Sequence, residues 1–174
     1  MRRFEAEEIA RLFRRFVVND PTGSSIVAVE GPRGAGKTTF AEVLARALGV
    51  RPTTGPRPEP GEVGDAFEAR VEAWMLDLVR SRPVGKPLVL DRGWLSIEVN
   101  RELLGRPAPG GRYASTFLPR FALGFSVVLD ADDATLDEAR GRDDLVLRER
   151  AAWRELKAPR VTRYRRIGSY YVGG

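Results

Sequence analysis

Lysine is rare in this chain, occurring only at Lys37, Lys86 and Lys157 among a large excess of arginine. Lys37 stands in Glu30-Gly31-Pro32-Arg33-Gly34-Ala35-Gly36-Lys37-Thr38-Thr39, which satisfies G-x-x-x-x-G-K-[ST] through Gly31, Gly36, Lys37 and Thr38. Glycines at these positions permit positive φ, so successive backbone N–H groups can wrap an anion at a helix N-terminus. A compact ammonium at Lys37 would reach the outer phosphates of a nucleotide, and the Thr38 hydroxyl would ligate magnesium. A glycine-rich turn joining strand to helix is the plainer use of such a loop.

Two further groups have reactive types at telling places. Asp91-Arg92 follows the short apolar run Pro87-Leu88-Val89-Leu90. A carboxylate there can hold a magnesium-bound water or accept a proton, and an adjacent guanidinium can grip a phosphate in bidentate fashion. A strand-end salt bridge would use the same pair. Arg140-Gly141-Arg142 falls in a break between two helical patterns, with Arg148 and Arg150 beyond it. Arginines on a flexible segment can close over a transferring phosphoryl group and stabilise its spread charge. A solvated, charged helix end accounts equally well for Arg148 and Arg150.

The elements that must position these residues follow from hydrophobic period. Ser25-Ile26-Val27-Ala28-Val29 reads as a buried parallel strand ahead of the glycine loop. Phe40, Val43, Leu44, Ala47 and Leu48 then share one helical face, and Gly49 stops the helix. Residues 5–18 place Ile9, Leu12, Phe13, Phe16 and Val17 at helical spacing. That helix is expected to pack on the sheet; a dimer contact is its second use. The Pro- and Gly-rich run 51–61 reads as a rigid surface loop beyond the second strand, on the ligand side. A helix over 65–80 carries Phe67, Val71, Trp74, Met75 and Leu78; another runs from Asp91-Arg92-Gly93 to about Leu104. Gly105–Gly111 reads as a Pro/Gly loop, and Leu118–Gly124 is ambiguous. Phe125–Leu129 is a buried strand, Asp132 or Asp133 caps a helix with Leu136 and Ala139, and Leu145–Lys157 is a helix with Trp153 inward. Val161–Ile167 alternates like a strand. Strands alternating with helices predict an α/β fold: a doubly wound parallel sheet with flanking helices, three layers, in one domain over residues 1–174.

Composition removes whole classes of chemistry. With no cysteine and no histidine there are no thiol nucleophiles, disulfides, Cys/His zinc sites or histidine triads. Hydrophobic content is 43%, yet no apolar run approaches a membrane span, and no signal core follows Met1-Arg2-Arg3. A cytoplasmic location is the expectation. Net charge is +5, and the run Arg160-Val161-Thr162-Arg163-Tyr164-Arg165-Arg166 prompts a nucleic-acid-binding ATPase as a rival reading. A chain this short leaves little room for the surface such a protein needs.

The motifs resemble those of thymidylate kinases and close deoxynucleotide kinases of the P-loop superfamily. Glu30 to Thr39 is similar to that family's phosphate loop, and Asp91-Arg92-x-x-x-Ser96 resembles its Asp-Arg motif. Arg57-Pro58-Glu59-Pro60-Gly61 looks like its Arg-Glu-Pro-Gly loop with one proline inserted, and Arg140-Gly141-Arg142 looks like its lid. The resemblance implies an ATP- and Mg2+-dependent kinase of deoxynucleoside monophosphates, with a small-molecule nucleotide as partner. Gly31, Pro32, Arg33, Gly34, Ala35, Gly36, Lys37, Thr38 and Thr39 would bind ATP, and Thr38 and Asp91 would hold the metal. Lys37, Asp91, Arg140 and Arg142 would be catalytic; Arg57 and Arg92 would hold the acceptor phosphate, with Phe67 and Arg70 at the base. Arg33 stands where the family has a carboxylate, the glutamine expected after Ser96 is replaced by nothing nearer than Asn100, and helix 5–18 is extra. A deoxynucleoside kinase, acting on an uncharged acceptor, is the nearest alternative.

Overall fold

The computed structural model describes residues 3–18, 26–57, 59–60, 62, 64–81, 86–105, 125–140, 143–156, 161–167 and 170–173. Its centre is β2 (Ile26–Glu30), whose five residues are all buried, as the unbroken apolar run requires of a strand covered on both faces. Parallel neighbours flank it: β4 (Leu88–Asp91) on one side and β5 (Phe125–Ala131) on the other. Beyond β4 lies β3 (Pro52–Thr54), and beyond β5 lies β6 (Val161–Ile167), both parallel. Two antiparallel strands complete that side, β7 (Tyr170–Gly173) and β1 (Arg3–Phe4), giving the order β1-β7-β6-β5-β2-β4-β3. The run expected to be loop after Arg51 thus begins with a three-residue edge strand. Pro52 is tolerated there because it is the strand's first residue and lies at the sheet's edge.

Helices cover both faces, as the doubly wound reading expects. On one face α1 (Ala6–Val18) and α2 (Lys37–Leu48) bury Ile9, Phe13, Phe40 and Leu44 against Val27, Val29, Val127 and Leu129. Leu12 of α1 departs from the expected inward stripe and stays 37% exposed; Ala10 takes its place in the core. Phe40 is fully buried, and its truncation to alanine would cost about 3–5 kcal/mol. The other face is covered by α3 (Gly64–Ser81), α4 (Trp94–Leu103) and α6 (Asp144–Glu155). Val71, Met75, Leu95, Val99 and Trp153 meet Ala28, Leu90 and Val128 there. Period two in the strands, with Val27 and Val29 facing one layer and Ala28 the other, is what separates the two clusters.

The helix between β5 and α6 is α5 (Asp133–Arg140). Asp132 caps it, accepting from Thr135 N and Thr135 Oγ1 at 2.9 Å each. Asp143 caps α6, its Oδ1 accepting from Val146 N at 2.8 Å. Helix α5 ends at Arg140 and α6 begins at Asp144; Gly141, between the two arginines of the expected break, lies outside the described residues. The Arg142 residue and the Arg140 side chain lie outside what is described, as do residues 106–124 with the ambiguous run Leu118–Gly124.

Candidate active site

The parallel strands set the site by ending together. Val29 pairs with Asp91 in register, so the loop that leaves β2 and the Asp91-Arg92 turn that leaves β4 emerge side by side. Open parallel sheets bind ligands at this edge. Gly31, Gly34 and Gly36 have φ of 130°, 87° and 85°. The first also permits a close approach, because a Cβ on Gly31 would lie 2.0 Å from the Leu129 carbonyl oxygen. That close approach leaves no room for a side chain where the loop passes Leu129 of β5.

Lys37 is buried, and its Nζ donates to the Pro32 carbonyl at 2.6 Å. Burial, followed by the nearby Arg92 charge, lowers its pKa to about 7; Glu149, Glu30 and Asp91 act in the opposite direction. The Thr38 hydroxyl donates to Asp91 Oδ2 at 2.8 Å. Asp91 Oδ1 is also buried and has no hydrogen-bond partner among the described residues. An orphaned carboxylate oxygen beside a hydroxyl is a costly arrangement unless a cation or water completes it. No group of three or more acidic, histidine or cysteine side chains could hold a metal alone among the described residues. Thr38 and Asp91 instead fit magnesium that arrives with phosphates and keeps several waters.

Arg92 carries φ of 75° and is the one non-glycine at positive φ among the described residues. A left-handed non-glycine costs of order 1–3 kcal/mol and persists only where its surroundings impose it. Its N–H donates to Val29 O at 3.0 Å, extending the ladder one step past β4.

A cavity of about 720 Å3 collects Lys37, Thr38, Arg57, Phe67, Asp91 and Arg92 along its wall, together with Arg33, Gly34 and Gly36. A second, more apolar cavity of about 540 Å3 opens between α3 and α4, and shares Arg33, Phe67, Val71, Ile97 and Asn100 with the first. The two therefore adjoin, the first lined by Lys37, Arg57 and Arg92, the second by Phe67, Val71, Ile97, Leu103 and Leu104 among several carboxylates.

Not every expected residue faces these cavities. Arg70 lines neither cavity. Its guanidinium grips Glu62 twice, at 3.0 and 2.7 Å, pairs with Glu59 at 3.6 Å, and donates to the Arg57 carbonyl. It also lies over the Phe67 ring, 5.7 Å from the centroid. So Arg70 braces the loop that carries Arg57. Arg33, half-exposed, pairs at 3.5 Å with the buried Glu149 of α6. Within the described part of the basic run, three arginines contact the protein itself. Arg163 donates to the Trp153 and Leu156 carbonyls, Arg165 pairs with Asp130 at 3.8 Å, and the Arg166 guanidinium packs on Gly36.

The first residue of the motif, given no role of its own in the sequence, turns out to be central. Glu30, fully buried at the end of β2, accepts from Ser96 Oγ at 2.5 Å and from Leu95 N at 3.1 Å. Burial pushes its carboxyl up, while Ser96, the Gly93 and Leu95 N–H groups and Lys37 pull the other way. Its place immediately before the loop, followed far along by a serine in the Asp-Arg motif, was the available signal.

No protein-family model and no curated protein matches this sequence. Among solved structures, the deoxyadenosine kinase from M. mycoides, with bound dATP, is similar with a TM-score of 0.45. The two are 16% identical over 75% of this chain and 82% of that one. A likeness at that distance says nothing of this chain's substrate.

Proposed function

We propose that this chain is a P-loop phosphotransferase that moves the γ-phosphoryl group of ATP to a deoxynucleoside monophosphate. The observation that carries the reading is the shared cavity: Arg57 and Arg92 line the same wall as Lys37, Thr38 and Asp91. Donor and acceptor phosphates brought to that wall would meet end to end, which is what direct transfer requires.

The residues divide the work. Loop N–H groups from Gly34 to Thr39 bind the β-phosphate region of ATP, and Lys37 exchanges the Pro32 carbonyl for phosphate oxygens. Thr38 and Asp91 would hold magnesium, which when bound supplies positive charge that neutralises the phosphates during transfer. Arg57 and Arg92 orient the acceptor phosphate, and the apolar recess lined by Phe67, Val71 and Ile97 receives its base. Arg33 is placed to exchange Glu149 for a phosphate oxygen. Arg142, with Arg140 assisting, would stabilise the charge that spreads over the transferring group.

A deoxynucleoside acceptor is the second reading, favoured by one observation. Glu59 and Glu62 cluster with Arg70 behind Arg57, so this side of the recess is less cationic than its arginines alone suggest.

An ADP-release screen with Mg-ATP against nucleosides and their monophosphates separates the two. Each charge-assisted hydrogen bond to the acceptor phosphate contributes about 1.5–3 kcal/mol. Arg57→Ala or Arg92→Ala should therefore raise the acceptor KM roughly ten- to hundredfold with little change for ATP. Faster phosphorylation of a nucleoside than of its monophosphate, with acceptor KM untouched by Arg57→Ala, would defeat the monophosphate reading.

A further inference from the structure

We infer that Glu30 is a positioning residue that holds Arg92 in the acceptor site by capping α4 from another element of the fold. The helix begins at Trp94 behind Gly93, which has no side chain with which to cap it. Glu30 supplies the missing acceptors across the sheet: Oε1 takes the Leu95 N–H at 3.1 Å and Oε2 takes the Ser96 hydroxyl at 2.5 Å. A carboxylate at a helix N-terminus answers both its free amides and its dipole.

Position then transmits to Arg92. The turn Asp91-Arg92-Gly93 is tied at both ends, by the Arg92 N–H on the Val29 carbonyl at 3.0 Å and by the helix start on Glu30. Val29 and Glu30 are consecutive residues of β2, so a single strand end fixes both ties. Between them the backbone has no freedom to relax, and Arg92 stays at φ 75° with its side chain on the cavity wall. Gly93 fits the same account. A Cβ there would lie 2.8 Å from Glu30 Oε1 and 2.8 Å from the Ala28 Cβ, so the carboxylate occupies the space a side chain would take. Glu30 also precedes Gly31, the first residue of the phosphate loop, and so binds the loop's origin to the turn that carries Arg92.

The test uses Glu30→Leu, which keeps volume but removes both acceptors, and Glu30→Gln, which restores an acceptor for Leu95. Amide hydrogen exchange on the ligand-free protein needs no substrate. Glu30→Leu should speed exchange at Arg92 and Leu95 tenfold or more, and Glu30→Gln should recover most of the protection. Should Glu30→Leu fail to fold, Gly93→Ala displaces the carboxylate from the other side and should give the same pattern. Unchanged protection at Arg92 in a folded variant overturns the inference whatever the enzyme acts on.

The kinetic arm rests on the function proposed above. Glu30→Leu should raise the acceptor KM about tenfold or more while ATP affinity holds, and should add nothing to it in an Arg92→Ala background. An equal rise for ATP and acceptor, or an additive effect with Arg92→Ala, overturns it too. If Arg92→Ala alone leaves every acceptor unaffected, the proposed acceptor site fails, and the exchange data still decide the role of Glu30.

Discussion

Lys37 should take up a proton when nucleotide binds. Its ammonium is buried and faces the Arg92 charge, and its pKa is lowered to about 7. Phosphate oxygens beside it would return the pKa to at least its ordinary value of 10.5. At pH 8 Lys37 is then about one-tenth protonated without nucleotide and almost fully so with it, an uptake of about 0.9 proton. At pH 6 the same calculation leaves about 0.1 proton. Above pH 7 affinity should weaken by about tenfold per pH unit, because the proton must be recruited from a thinner supply. The group's effect on folding has a definite sign. A lysine with a lowered native pKa leaves the unfolded chain holding more protons between about 7 and 10.5, so stability of the empty protein rises with pH across that window. The assay is titration calorimetry of a non-hydrolysable ATP analogue at pH 8, in two buffers of different ionisation enthalpy. Lys37→Met removes the titrating group and should abolish the uptake. Less than about 0.2 proton at pH 8, or equal uptake by Lys37→Met, would mean that the carboxylates of Glu149, Glu30 and Asp91 outweigh burial.

Other perturbations have equally definite outcomes. Gly31→Ala forces a Cβ to within 2.0 Å of the Leu129 carbonyl at φ 130°, and should lower stability by more than about 3 kcal/mol; denaturant unfolding measures it. Asp91→Asn removes the carboxylate that accepts from Thr38, so the Mg2+ concentration for half-maximal activity should rise about tenfold or more while tripolyphosphate still binds without metal. Arg142→Ala should lower kcat at least about a hundredfold with little change in ATP affinity, since a closing arginine acts chiefly in the transition state; pre-steady-state transfer with equilibrium nucleotide binding separates the two.

Local signals carried most of what could be read from the chain. The phosphate loop was legible because its anion cradle lies within a dozen residues, and β2 and α2 declare themselves on either side. Asp91 was legible because a buried run ends in it. What lay hidden depends on contacts between distant residues. Ser96 reaches Glu30 across 66 positions of sequence, and no period or spacing announces a cap supplied by another strand. Arg70 matched a base-contacting position, yet a bidentate carboxylate eight residues away holds it out of the recess. Arg33 looked like a free cation until α6 brought Glu149 to it. β1 and β7 are too short to show a period, and they exist because each completes the ladder of its neighbour.

That last pairing has a consequence for how the chain is made. Arg3 and Phe4 hydrogen-bond beside Val172 and Tyr171, so the first strand has no partner until the last one has been synthesised. At ribosomal speeds of about 5–20 residues per second, the wait lasts roughly ten to thirty seconds. Throughout it the apolar stripe of Ile9, Phe13 and Val17 can dock on α2 but remains untethered at its leading end. The segment carrying β1 and α1 is thus exposed to aggregation and to chaperone capture for as long as β7 is unmade. Joining the ends by a short linker and opening the chain within the exposed Leu104–Gly105 turn would invert this order, placing β7 and β1 next to each other during synthesis.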